Sequence, residues 1–156
     1  MATKSAVQVP GSIRVLAILV MAAGAVMVVA GAGTWFLVQS QLSDERITVS
    51  DDAAHFAGDA VDGPLTAYTE AQTIEKHATK ASGGKTYAEL APDDPTRNTV
   101  MTASFLRASL FTSVVSFGVA AMAGGLGIVL LLIGWALLSL ASAIRSVAAA
   151  TIDVPA

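Results

Sequence analysis

VLAILVMAAGAVMVVAGAGTWFLV, Val15 to Val38, holds no charged side chain. A hydrocarbon core takes about 20 apolar residues of helix to cross, so this run is long enough to span one. A single Arg, Lys or Asp at mid-span would cost roughly 2.5 to 3.5 kcal/mol, and a run that avoids all of them points to lipid. The competing reading is a secretory signal, with Lys4 and Arg14 as its basic region and Ala30-Gly31-Ala32 as a cleavage site. The apolar run continues through Trp35 and Phe36 past that site, which favours an uncleaved anchor.

Working outward, the whole chain carries the same signature. Of its 156 residues 54% are hydrophobic and 13% charged, and the mean hydropathy is +0.65. Such values suit a short membrane protein better than a soluble domain. A second uncharged stretch runs from Ala108 to Ile144. As one helix it would be about 55 Å long, against a core of roughly 30 Å, and tilts that reach only about 40 degrees cannot absorb the excess. Part of it therefore stands outside the bilayer. Ser109, Thr112, Ser113 and Ser116 mark the front half as that part, which puts the span at 117–140 with Trp135 toward the inner interface.

The expected fold is an all-α membrane protein: a two-transmembrane-helix hairpin with a mostly helical extracytoplasmic segment and an extended second helix. Its divisions are a cytoplasmic N-terminus 1–14, a first span 15–38, an extracytoplasmic domain and stalk 39–116, a second span 117–140 and a cytoplasmic C-terminus 141–156. Basic residues near the helix ends divide evenly, with Lys4, Arg14 and Arg145 on one side and Arg46, Arg97 and Arg107 on the other. The first helix usually dominates orientation, so Lys4 and Arg14 put both termini in the cytoplasm of a multi-pass plasma-membrane protein. Asp44 to Arg107 then lies outside and is acidic. With no cysteine in the chain, disulfides, thiol catalysis, thiolate metal sites and a lipid-modified cysteine are all excluded. The net charge of -3 argues against nucleic acid as a partner.

In the outer segment, Ile47 and Val49 suggest a short extended piece, and Ser50 is expected to cap a short helix through DDAAHFA that ends at Gly58. Asp62-Gly63-Pro64 predicts a helix from Pro64 to about Ala81, with Ala67, Ala71, Ile74, Ala78 and Ala81 on one face and Thr69, Thr73, Lys76 and Lys80 opposite. GGKT, Gly83 to Thr86, imitates the close of a phosphate-binding loop. The first glycine such a loop needs is replaced by Thr79, in a helix rather than after a strand. Gly83 and Gly84 read instead as a helix stop, and Thr86-Tyr87-Ala88-Glu89 as a capping box. No nucleotide is expected. Asp94 and Pro95 open the last helix, which runs on without a breaker as far as Gly118. Val100, Ala103, Leu110, Phe111 and Val114 form its apolar face, from which Arg107 projects, with Asp44 and Glu45 expected as its ion-pair partners.

Small residues recur every seven positions in both uncharged stretches: Ala17, Gly24 and Gly31 in the first, Ala120, Gly127, Gly134 and Ala141 in the second. Such stripes let two backbones approach in lipid, so these seven are the expected helix-packing residues. His55 has Asp51, Asp52 and Asp59 nearby in sequence, a set that could hold a divalent cation but reads more simply as a solvated acidic surface. The spacing of His55 and His77 builds no facial arrangement for non-haem iron. No catalytic residue, cofactor or metal site is assigned, and the chain is expected not to be an enzyme.

At DERITVSDDA (Asp44 to Ala53), VDGPLTAYTEA (Val61 to Ala71), ASGGKTYAEL (Ala81 to Leu90) and NTVMTASFLRASLFTSVVSFGVAAM (Asn98 to Met122), the chain resembles a group of short actinobacterial two-helix membrane proteins. These often carry the label "aromatic ring-opening dioxygenase LigA". The similarity covers about Ile13 to Leu138 and implies an actinobacterial plasma membrane. The label implies an extradiol oxygenase, but no established catalytic residues come with the resemblance and none are carried over. The large apolar residues of the outer segment, chiefly Ile47, Val49, Phe56, Val61, Leu65, Tyr68, Ile74, Tyr87, Leu90, Val100, Phe105 and Leu106, make a core too small to stand without staples. The expected function follows from that shortage: a non-enzymatic accessory or scaffold subunit that packs against membrane lipid and against other membrane-protein subunits or copies of itself. The alternatives are an extracytoplasmic sensor or ligand-binding protein, and a ring-opening dioxygenase component.

Overall fold

The computed structural model describes residues 11–152, with side chains as far as Ser146. Lys4 and the last residues of the C-terminal tail lie outside the described residues. Those described are all-helical apart from turns and one isolated bridge: α1 spans Gly11–Asp44, α2 Pro64–Ala81 and α3 Arg97–Ile152, with a short 3-10 turn at Tyr87–Glu89. α1 and α3 are each long and apolar enough to cross a membrane. With 34 and 56 residues they measure about 51 and 84 Å at 1.5 Å per residue, so both exceed one bilayer core of roughly 30 Å.

The chain divides into two compact units, one made of Met1–Gly31 with Met122–Ala156, the other of Ala32–Ala121. In the first, every buried residue among those described is Gly or Ala: Ala17, Gly24, Gly31, Gly127, Gly134 and Ala141. The large side chains point away. Val26 and Val29 are 69% and 72% exposed, and Ile128, Leu132 and Trp135 lie open likewise. Small residues inside and large aliphatics outside is the reverse of a water-soluble core, and it is the arrangement that lipid-embedded helix pairs adopt.

The second unit has an ordinary apolar core, in which Val38 and Leu42 of α1, Val49, Val61, Ala67 and Ala71, and Leu110 and Phe117 of α3 are buried together. Trp35 meets Phe117 edge to face with ring centroids 4.7 Å apart, and Tyr68 meets Phe111 at 5.7 Å. α2 starts where proline at the first helical position sacrifices an amide that would be unpaired anyway. It stops where Gly83 and Gly84 take φ of 63 and 86 degrees, a left-handed conformation that glycine adopts without a Cβ penalty.

Two local expectations are corrected here. The short helix through Asp51 to Ala57 is absent: the segment is irregular, closed into a loop by Val49 N–H to Asp59 C=O at 2.8 Å, Gly58 N–H to Val49 C=O at 2.9 Å and Val61 N–H to Ile47 C=O at 2.9 Å. The buried face of α2 is also turned. It comprises Ala67, Glu70, Ala71 and Thr73, while Ala81 is exposed and Ala78 only half-buried. Thr73 is admitted because its hydroxyl donates to the Thr69 carbonyl at 3.0 Å, and Glu70 because it has a partner described below.

Candidate functional site

In the first unit the two helices touch backbone to backbone. A Cβ added at Gly24 would lie 2.7 Å from the Gly127 carbonyl oxygen, and one added at Gly127 would lie 2.6 Å from that of Gly24 and 2.8 Å from the Val28 nitrogen. At Gly134 it would meet the Met21 side chain and come within 2.9 Å of the Ala17 carbonyl oxygen. The pairings 17 with 134 and 24 with 127 run in opposite senses along the chain, so these segments pack antiparallel. Gly31 and Ala141 are also buried in this unit, and Ala120 in the other. Not every glycine shares that contact: Gly118, Gly124 and Gly125 have nothing within 4 Å of where a Cβ would stand.

In the second unit, α2 holds the 47–61 loop by two carboxylates. Glu70, 6% exposed, accepts the Ser50 amide at 2.7 Å and the Ser50 hydroxyl at 3.0 Å. The residue expected to cap a local helix is thus used to satisfy a buried carboxylate from another element. Its signal in the sequence was spacing: Ala67, Glu70, Ala71 and Ile74 are i, i+3, i+4 and i+7, which sets Glu70 on the apolar stripe. Asp52 makes the second attachment, to the His77 ring at 2.9 Å and the Lys76 ammonium at 3.2 Å. The His55 ring stands edge to face with Phe56, centroids 6.4 Å apart. Among the described residues no three His, Asp or Glu side chains converge as metal ligands would, so Asp51, Asp52, Asp59 and His55 form no such cluster.

Arg107 does not pair with Asp44 or Glu45. Its guanidinium meets Glu75 of α2 at 2.9 Å and lies over the Phe111 ring at 5.4 Å. The physical reason is the docking of α2 along α3, which brings a carboxylate to Arg107 directly. Arg97 closes the other end of the unit: it donates to the Leu90 carbonyl at 2.6 Å and stacks over Tyr87 at 4.1 Å, tying the 82–96 connection to the start of α3. Around GGKT, the amides of Ser82, Gly83, Gly84 and Lys85 donate to Ala78, Lys80, Thr79 and Ser82 carbonyls. Those are the groups a phosphate loop would aim at its ligand. Thr86 and Glu89 form the capping box, with Glu89 accepting the Thr86 amide at 2.7 Å.

An open cleft of about 570 Å³ lies between α2 and α3, lined by Ile74, His77, Ala81, Asn98, Thr102 and Leu106 among others. It presents no nucleophile with an activating base. His77, the one titratable side chain lining it, is engaged by Asp52.

The His77 hydrogen bond, and after it that of Lys76, hold the Asp52 carboxyl below its ordinary value of 3.8. Hydrogen bonds from Thr86 and Thr96 lower Glu89 and Asp94 in the same way. A carboxyl whose value is depressed by folding contributes stability that is complete above its unfolded value and is lost as pH falls through the folded one. We therefore expect thermal stability to fall in acid below about pH 4, and Asp52→Asn to flatten that fall while lowering stability at neutral pH. Melting followed by circular dichroism from about pH 7 to about pH 2 checks this, and unchanged acid dependence in the variant would refute it.

The chain matches no protein-family model, no curated protein and no solved structure.

Proposed function

We propose that the protein is a non-enzymatic accessory or scaffold subunit of a plasma-membrane assembly, anchored by α1 and α3 as a two-span hairpin. In this reading the spans are 15–38 and 117–140, both termini are cytoplasmic, and 39–116 is extracytoplasmic. The outward-facing aliphatics of the first unit support a lipid environment, since burying them in water-soluble form would need a cover that the described residues do not supply. Support for a protein partner comes from one observation on the second unit. Phe105, expected in its core, is 68% exposed, with Met101 one helical turn before it and Leu106 beside it also uncovered. Exposed apolar clusters of this kind mark interaction surfaces.

A photo-crosslinking residue at Phe105 tests this in intact membranes. The expected result is a protein adduct, either a dimer of the chain or a larger species, that is missing when the probe stands at Lys80. If position 105 yields nothing above the Lys80 background, the subunit reading fails. The cleft between α2 and α3 favours the sensor or ligand-binding alternative, for which a small molecule retained by the purified protein and displaced by Thr102→Trp would speak. The dioxygenase alternative predicts bound iron and catechol turnover in the purified protein, and iron analysis with a catechol ring-cleavage assay tests it.

A further inference from the structure

We propose that the start of α2 lies in the outer membrane–water interface, with Leu65 and Tyr68 inserted at the level of the lipid headgroups and upper acyl chains. The inference rests on the membrane reading above and adds a third point of attachment to it.

The argument is one of height along α3 within the second unit. α2 runs antiparallel to the first part of α3: Tyr68 meets Phe111, Glu75 meets Arg107, and Ile74 and Ala81 share a cleft with Leu106 and Thr99. Counting in step, Leu65 comes level with Val115, two residues short of Phe117. Phe117 packs on Trp35, near the end of the uncharged stretch of α1. At 1.5 Å per residue, Leu65 stands about 3 Å and Tyr68 about 9 Å beyond that layer. The interfacial zone is roughly 5 to 8 Å deep on each side of the hydrocarbon, so the Leu65 backbone falls inside it and that of Tyr68 about 1 Å past it, close enough for the ring to reach in.

The chemistry of α2 is graded along the same axis. Pro64 to Thr69 carries no charge, and Glu70 is consumed internally by Ser50. Glu75, Lys76 and Lys80 all sit on the far half of the helix. Leu65 is 65% exposed, and its level of α3 presents Val115, also open. Tyr68 is oriented as an interfacial tyrosine would be: its ring rests on Phe111 and its hydroxyl accepts from the Gln72 amide at 2.9 Å, one turn farther from the bilayer. Asp62, exposed just before the helix, limits the depth, because its carboxylate stays among the headgroups.

Because the chain has no cysteine, one introduced thiol is a unique label site. Leu65→Cys, Lys80→Cys and Val129→Cys would each be given a nitroxide and reconstituted in phosphatidylglycerol and phosphatidylethanolamine vesicles. The relative relaxation by oxygen and by a water-soluble nickel chelate then reports depth. The expected oxygen-to-nickel ratio at Leu65 is several-fold above that at Lys80 and below that at Val129. A Leu65 ratio equal to that of Lys80, with Val129 strongly oxygen-favoured, overturns this inference and leaves the two-span reading intact. Should Val129 also behave as water-exposed, the membrane reading falls and this inference with it.

Discussion

Gly127→Leu should destabilise the helix pair by at least the upper end of the roughly 1–3 kcal/mol that overpacking costs. The usual range assumes that neighbouring side chains yield. Here the first atom a Cβ would meet is the Gly24 carbonyl oxygen at 2.6 Å, followed by the Val28 Cγ2 and backbone nitrogen at 2.8 Å. Two of those three are backbone, so relief requires moving a helix axis. Moving the axis separates the whole contact, because Gly24 and Gly134 meet the opposite helix just as closely. Gly125→Leu is the matched control, since that position is open and the substitution should change stability by no more than about 0.5 kcal/mol. The midpoint of SDS-induced unfolding in mixed micelles measures both variants. Equal midpoints would mean that the close approach contributes nothing to holding the helices together.

How much of this was legible beforehand depends on how local the governing physics is. Helix α2 was readable to its ends because both are set by nearby residues: Pro64 fixes the backbone angle at the first turn, and Gly83 and Gly84 adopt the left-handed conformation at the stop. The small residues recurring every seven positions were visible as a pattern, and all seven are buried. The seven-residue period keeps one stripe toward a neighbour along a whole helix, which is why composition and packing coincide there.

Where a contact joins distant elements, local rules failed for reasons that can be named. Ser50 followed by two aspartates has the form of a helix start, but its amide and hydroxyl are taken by Glu70, twenty residues on, and no helix follows. Counting along two helices matches Arg107 to Asp44 and Glu45, but the docking of α2 brings Glu75 to 2.9 Å instead. Sequence proximity groups Asp52 with His55, whereas it bonds His77 on α2. Apolarity alone puts Phe105 and Leu106 in a core, yet Phe105 is 68% exposed and Leu106 borders the open cleft beside α2. Each error concerns which element covers which, and that is decided by tertiary packing.

Phe117→Ala should cost about 3 to 5 kcal/mol, the range for emptying a large aromatic site that cannot collapse. Phe117 is 1% exposed and belongs to the cluster that includes Val38, Leu42 and Leu110, three residues fixed on long continuous helices. Helices held along their length do not close readily around a void, so the cavity should persist. The substitution also removes the edge-to-face partner of Trp35, worth about 0.5 to 1.5 kcal/mol beyond its area. Trp35 itself is the reporter. In a Trp135→Phe background it is the sole tryptophan, and its emission should change as its environment loosens, with the thermal midpoint falling in parallel. Phe117→Leu, which leaves much of the volume filled, should recover most of the midpoint while still lacking the ring contact. A Phe117→Ala protein with unaltered Trp35 emission and melting would show that this aromatic pair does not anchor the unit's core.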